Sequence, residues 1–112
     1  MSFDVISLAE AMTVAASKSV ICWPAIRLVA ESELRRFAGT LEEVRSLYAE
    51  GVIEEDEAMD IAGAHRVAAQ TALRSVQSVG VMTARAAAPR VMKAAVGEAR
   101  PTVNRTVGFP LI

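Results

Sequence analysis

From Ser2 to Cys22 the apolar residues Val5, Leu8, Ala9, Met12, Ala15 and Ala16 recur every three or four positions. That is the period of one helix face. Ser7-Leu8-Ala9-Glu10 has the form of a capping box, with Ser2 as an earlier start. Trp23-Pro24 then interrupts, because a residue before proline is pushed out of the α region while proline itself suits a helix's first turn. The pattern predicts a first helix ending near residue 22 and a second from Pro24 to Ala38, capped by Gly39. One kinked helix through residues 2–38 is the alternative.

Thr40-Leu41-Glu42-Glu43 reads as another capping box, followed by Leu41, Val44, Leu47 and Tyr48 on one face. This predicts a short helix over 40–51, stopping at Gly51. Glu54-Glu55-Asp56-Glu57 opens the next helix with acids on the positive end of its dipole. The periodic pattern passes Gly80 and Pro89 and predicts one long helix over 54–96. At 1.5 Å per residue such a helix spans roughly 60 Å, more than a compact chain of this size can cover. Around Val76, Val79, Val81, Met82, Ala84 and Ala86 to Ala88 it is apolar in nearly all directions, as a buried helix is. Gly97, Pro101, Gly108 and Pro110 predict an extended tail over 97–112 with an apolar end, Phe109-Pro110-Leu111-Ile112, docked on a neighbouring subunit.

The expected fold is therefore all-α: a single helical domain over 1–112, an elongated hairpin or bundle with one long C-terminal helix and an extended tail. Composition adds a reason to expect partners. The chain holds 21 Ala and 14 Val but only 7 Leu, 6 Ile and 3 Phe. Small side chains bury little area each, so a core built from them in one chain is thin, whereas Ala-rich faces let helices approach closely over a long contact. Ala72, Val76, Val79, Ala87, Phe109, Leu111 and Ile112 are the expected oligomer contacts.

Charge divides the chain. Residues 1–60 carry 12 acids and 5 bases, a balance of −7; residues 61–112 carry 7 bases and one acid, Glu98, a balance of +6. Arg66, Arg74, Arg85, Arg90 and Lys93 form the candidate basic face, the first three within about 100° of one another on a regular helix. Phosphates could be contacted, but these bases are sparse and no aromatic residue interleaves with them before Phe109. Complementary packing against the acidic half is the favoured use. A lone cysteine, Cys22, excludes an internal disulfide. No basic segment precedes the first apolar stretch, so no secretory signal is expected. Ala11 to Ala30, interrupted by Lys18 and Arg27, makes a poor membrane span. The expected location is cytoplasmic or within a macromolecular assembly.

Candidate chemistry is scarce. His65 and Cys22 are the only residues of their kinds, Asp60 lies off the helical face of His65, and no Glu-x-x-His arrangement occurs. A metal or nucleophilic site needs more ligands or an orienting partner than these supply. The acids from Glu54 to Asp60 lack the glycine and spacing of a calcium loop. The expectation is no catalytic residue, no metal and no cofactor. Leu41 to Arg66, with its amphipathic helix, the break Glu50-Gly51-Val52-Ile53 and the acidic start of a second helix, resembles the SHOCT type of short helical hairpin. The resemblance implies a helix–turn–helix and an interaction role, and carries no catalytic residues. The sequence thus reads as a non-enzymatic subunit of a homo-oligomer such as a ring, a filament, or a virion or secretion-machine component, with other assembly subunits as further partners. The alternative is a small adaptor whose basic half binds nucleic acid or an anionic membrane surface.

Overall fold

A computed structural model describes residues 2–112, and helices are the regular structure among them. The four α-helices are α1 (Val5–Ser17), α2 (Trp23–Ala49), α3 (Glu55–Arg74) and α4 (Val81–Val107), with a short 3-10 turn, Gln77–Val79, between the last two. Each connection is short, so consecutive helices run antiparallel. α1 and α3 each pack on both α2 and α4, and do not meet each other. The result is an up-down-up-down bundle, 44 × 22 × 18 Å.

The buried stripes explain that arrangement. α3 buries Ala58, Ala62, Ala69 and Leu73, and α4 buries Ala84, Ala88, Val91, Ala95, Ala99 and Val103. Spacings of three and four keep each stripe on one side of its helix. The larger side chains Phe37, Met12, Ile26, Leu34 and Leu41 from α1 and α2 fill the space between. The small-residue faces expected to seek a partner chain lie against each other inside one chain.

Several local expectations are corrected. Asp4, not Ser7 or Ser2, caps α1: its Oδ1 accepts from the amides of Ile6 (2.9 Å) and Ser7 (3.4 Å). α1 ends at Ser17, and Pro24 occupies the first turn of α2. α2 does not stop at Gly39, and no separate helix begins at Thr40. Ala38, Thr40 and Leu41 are all buried, and that burial outweighs the roughly 1 kcal/mol a helical glycine costs. The long helix expected over 54–96 is two helices. The chain leaves α3 after Arg74 and reverses through Gly80, whose φ of +80° suits glycine. Folding back covers both halves of a stretch too long and too apolar to stand alone.

The extended tail over 97–112 is also corrected. Gly97 and Pro101 lie inside α4, both on its exposed side, while Val96, Ala99 and Val103 hold the opposite side in the core. The helix ends instead at Gly108, left-handed at φ +88°, whose amide donates to the Asn104 carbonyl at 2.9 Å. The last four residues fold onto the chain's own bundle, not a neighbour. Phe109 and Leu111 are buried, and Ile112 donates from its amide to Asn104 Oδ1 at 3.0 Å.

Candidate functional site

The two ends of the bundle differ in chemistry. Where α2 hands over to α3, acids dominate. Glu55, Asp56 and Glu57 fill the first turn of α3, and the Glu54 amide donates to Glu57 Oε1 at 3.2 Å. Glu42 joins this end to α1 by accepting from the Phe3 amide at 3.5 Å, and it also pairs with Arg45 at 2.6 Å. That hydrogen bond raises the Arg45 pKa above its ordinary value, burial opposing it and the Glu42 charge adding to it. Tyr48 is likewise raised, first by desolvation, then by the charge and hydrogen bond of Glu55, whose Oε1 accepts from its hydroxyl at 3.3 Å.

At the opposite end α1 finishes, α2 begins, α3 finishes and α4 begins. Residues 11–30 and 61–97, which build it, contain no Asp or Glu. They supply seven cations, among them the exposed Lys18, Arg27, Arg74, Arg85 and Arg90. Arg27 lies 3.8 Å from Glu31 one turn up α2. Among the described residues Lys18, Arg74, Arg85 and Arg90 have no acidic partner within salt-bridge distance. Four large apolar side chains of the same segments are exposed: Ile21 (102% exposed), Met82 (78%), Leu28 (75%) and Val81 (62%). A cleft of about 360 Å³ between Val20, Ile21, Cys22, Thr83, Ala86 and Arg90 joins the α1–α2 loop to α4. Ser78 Oγ donates to the Ala25 carbonyl at 3.0 Å, fixing the α3–α4 connection against α2.

A second apolar surface runs along α1. Ile6 (69% exposed) and Val14 (54%) face outward, separated by the exposed Glu10. Both border a shallow groove of about 420 Å³ against α2 with Glu31 and Arg35, and Val14 also borders one of about 500 Å³ toward α4 with Lys18 and Glu98.

The residues expected at an oligomer contact fall elsewhere. Val76, Ala87, Phe109 and Leu111 are buried in the chain's own core, and Ala72, Val79 and Ile112 are half-buried. The basic face also divides. Arg66 and Arg74 lie on α3, bordering one groove with Val67, Gln70 and Thr71, while Arg85, Arg90 and Lys93 lie on α4 beyond the reversal. The sequence singled out neither Ile6 and Val14 nor Ile21 and Leu28 as exposed. The absence of acids across 11–30 and 61–97 was a readable signal, but only the antiparallel pairing of those segments brings it to one place.

No three of His, Cys, Asp and Glu converge on a metal-sized site among the described residues. His65 is exposed on α3 beside Glu33 and Arg36, and Cys22 is half-buried at the basic end. No described helix is long and apolar enough to cross a membrane. Compared with known proteins, the chain matches no family model, no curated protein and no solved structure. The hairpin around Leu41 to Arg66 therefore stands on its geometry alone.

Proposed function

We propose that the protein is a non-enzymatic assembly subunit that pairs with copies of itself, and that the contact lies along α1. One observation carries this reading: α1 has an apolar residue on its solvent side as well as its core side, Ile6 and Val14 being exposed on a helix whose Leu8, Ala9, Met12 and Ala16 are buried. A helix apolar on both sides is one that packs on both sides.

Shape and charge support a side-by-side arrangement. The long flank of a 44 × 22 Å body offers an area near the roughly 800 Å² per partner that specific interfaces bury. Two copies placed antiparallel across a twofold axis would set the acidic end of each beside the basic end of the other, a self-complementary contact. The flanking groups Lys18, Arg35, Glu31 and Glu98 are then available for polar contacts at the rim.

Light scattering or sedimentation over a concentration series tests it. The wild-type chain should exceed monomer mass, and Ile6→Glu with Val14→Glu should return it to monomer with helicity intact, because each exposed site tolerates a charge in the free chain but not in the contact. A wild-type chain that stays monomeric at every concentration, or a double variant of unchanged mass, would overturn the reading.

A further inference from the structure

We infer that the basic end of the bundle docks on the surface of an anionic phospholipid bilayer. The end shares Lys18 with the rim of the α1 flank, but the inference rests on residues exposed within one chain and does not require self-association.

Three features of this end point the same way. First, no acid is present in the segments that build it, while Lys18, Arg74, Arg85 and Arg90 are exposed and unpaired among the described residues. Unneutralised cations gathered on one end are drawn to a negatively charged leaflet. Second, Ile21, Leu28, Val81 and Met82 stand exposed on the same segments, Ile21 being as exposed as a free side chain and sharing a cleft with Arg90. Such residues can enter the boundary between headgroups and acyl chains while lysine and arginine remain at phosphate level. Third, the α3–α4 connection is tied to the first turn of α2 by the Ser78–Ala25 hydrogen bond, which joins two of the segments that carry these residues.

Other occupants of this end fit less well. The 22 × 18 Å end face offers at most about half the area per partner that a stable protein–protein contact buries. A bilayer has no such requirement, since insertion and charge attraction act on few residues. A nucleic acid would use the cations but leave the four apolar side chains unsatisfied. No aromatic residue stands fully exposed there to stack on bases, since Trp23 is half-buried.

Vesicle flotation with the full chain tests the inference, using phosphatidylserine-containing and pure phosphatidylcholine vesicles. The expected result is capture by the first and not the second, reversed by high salt. Arg74→Glu and Arg85→Glu should each weaken capture by roughly tenfold or more. Ile21→Asp with Met82→Asp should abolish it while circular dichroism and thermal melting stay as in the wild type. Arg105→Glu, in the last turn of α4 at the opposite end, should leave capture unchanged. Failure to float with either vesicle overturns the inference, as does capture unaffected by the Ile21 and Met82 changes. Binding of a duplex oligonucleotide that survives those apolar changes would show a general polyanion site instead. Loss of oligomer mass in the Ile21 and Met82 variant, without any lipid binding by the wild type, would show a contact between copies.

Discussion

The ring of Tyr48, at the end of α2, lies 4.8 Å from that of Phe109, beyond the end of α4, tilted by 59°. This tilted contact closes the acidic end of the bundle and fastens the last residues to the chain's own core. Tilted aromatic pairs contribute about 0.5–1.5 kcal/mol beyond the area they bury. Phe109→Ala should therefore destabilise by about 3 kcal/mol, counting lost burial as well. Thermal melting should fall by roughly 10 °C. A double-mutant cycle with Tyr48→Ala should show coupling, whereas additive losses would mean the rings act separately.

Tyr48 is the only tyrosine, so phenolate absorbance reports it alone. Desolvation and then Glu55 raise its pKa above the ordinary 10.0. A group whose folded pKa is raised stabilises the fold fully below its unfolded pKa and loses that contribution as pH rises through the folded value. Stability should thus decline above about pH 10, and Tyr48→Phe should flatten that decline while changing neutral stability little. Titration of Tyr48 at the ordinary value, or a Tyr48→Phe protein with the same alkaline slope, would contradict the assignment.

Ala87 separates a core role from an interface role. On the sequence it belongs to the expected oligomer contact, where Ala87→Glu would dissociate the assembly. It is 5% exposed within a single chain, so a glutamate there must bury a charge or force the helices apart. Ala87→Glu should unfold the monomer or cost several kcal/mol, about 3 or more. Ile6→Glu should leave stability within about 0.5 kcal/mol, as surface changes do. Urea denaturation of both distinguishes them.

Fold class, the break before Pro24 and the acidic opening of α3 were legible because each depends on local chemistry. Apolar spacing reports a helix face, proline restricts its neighbour, and carboxylates favour a helix's positive end. The reversal at Ser75–Gly80 was not legible, since Val76 and Val79 continue the apolar pattern straight through it. Only the tertiary gain of laying α4 on α3 decides that the chain turns. The same gain carries α2 through Gly39 and α4 through Gly97 and Pro101, where local preference favours a stop. The interaction surfaces were hidden for a related reason: the inward side of α1 follows from its period, but the exposure of Ile6 and Val14 depends on what the other helices leave uncovered.

The Ile112 backbone is held on both sides by one residue. Asn104 accepts from its amide at 3.0 Å and donates from Nδ2 to its carbonyl oxygen at 3.3 Å, while Arg100 Nε donates to that oxygen at 3.1 Å. Asn104→Ala removes two of these bonds and should cost about 1–2 kcal/mol. Hydrogen exchange at the Ile112 amide should accelerate with little change in the helix core. Unchanged exchange would mean that burial of Leu111 alone holds the segment.

Three glycines test whether the reversal or the helices set the backbone demand. Gly39 and Gly97 are helical, and a methyl group added at either meets nothing within 4 Å. Alanine there removes the backbone entropy of glycine without a clash, so each substitution should stabilise by about 0.5–1 kcal/mol. Gly80 also has open space, but its φ of +80° is one that L-residues with a Cβ rarely adopt. Gly80→Ala should therefore destabilise by about 1–2 kcal/mol, the sign opposite to the other two. Thermal melting of the three single variants reads the signs directly. If Gly80→Ala stabilises the protein as Gly39→Ala does, the residue is helical, and α3 and α4 form the one long helix that their uninterrupted apolar pattern suggests.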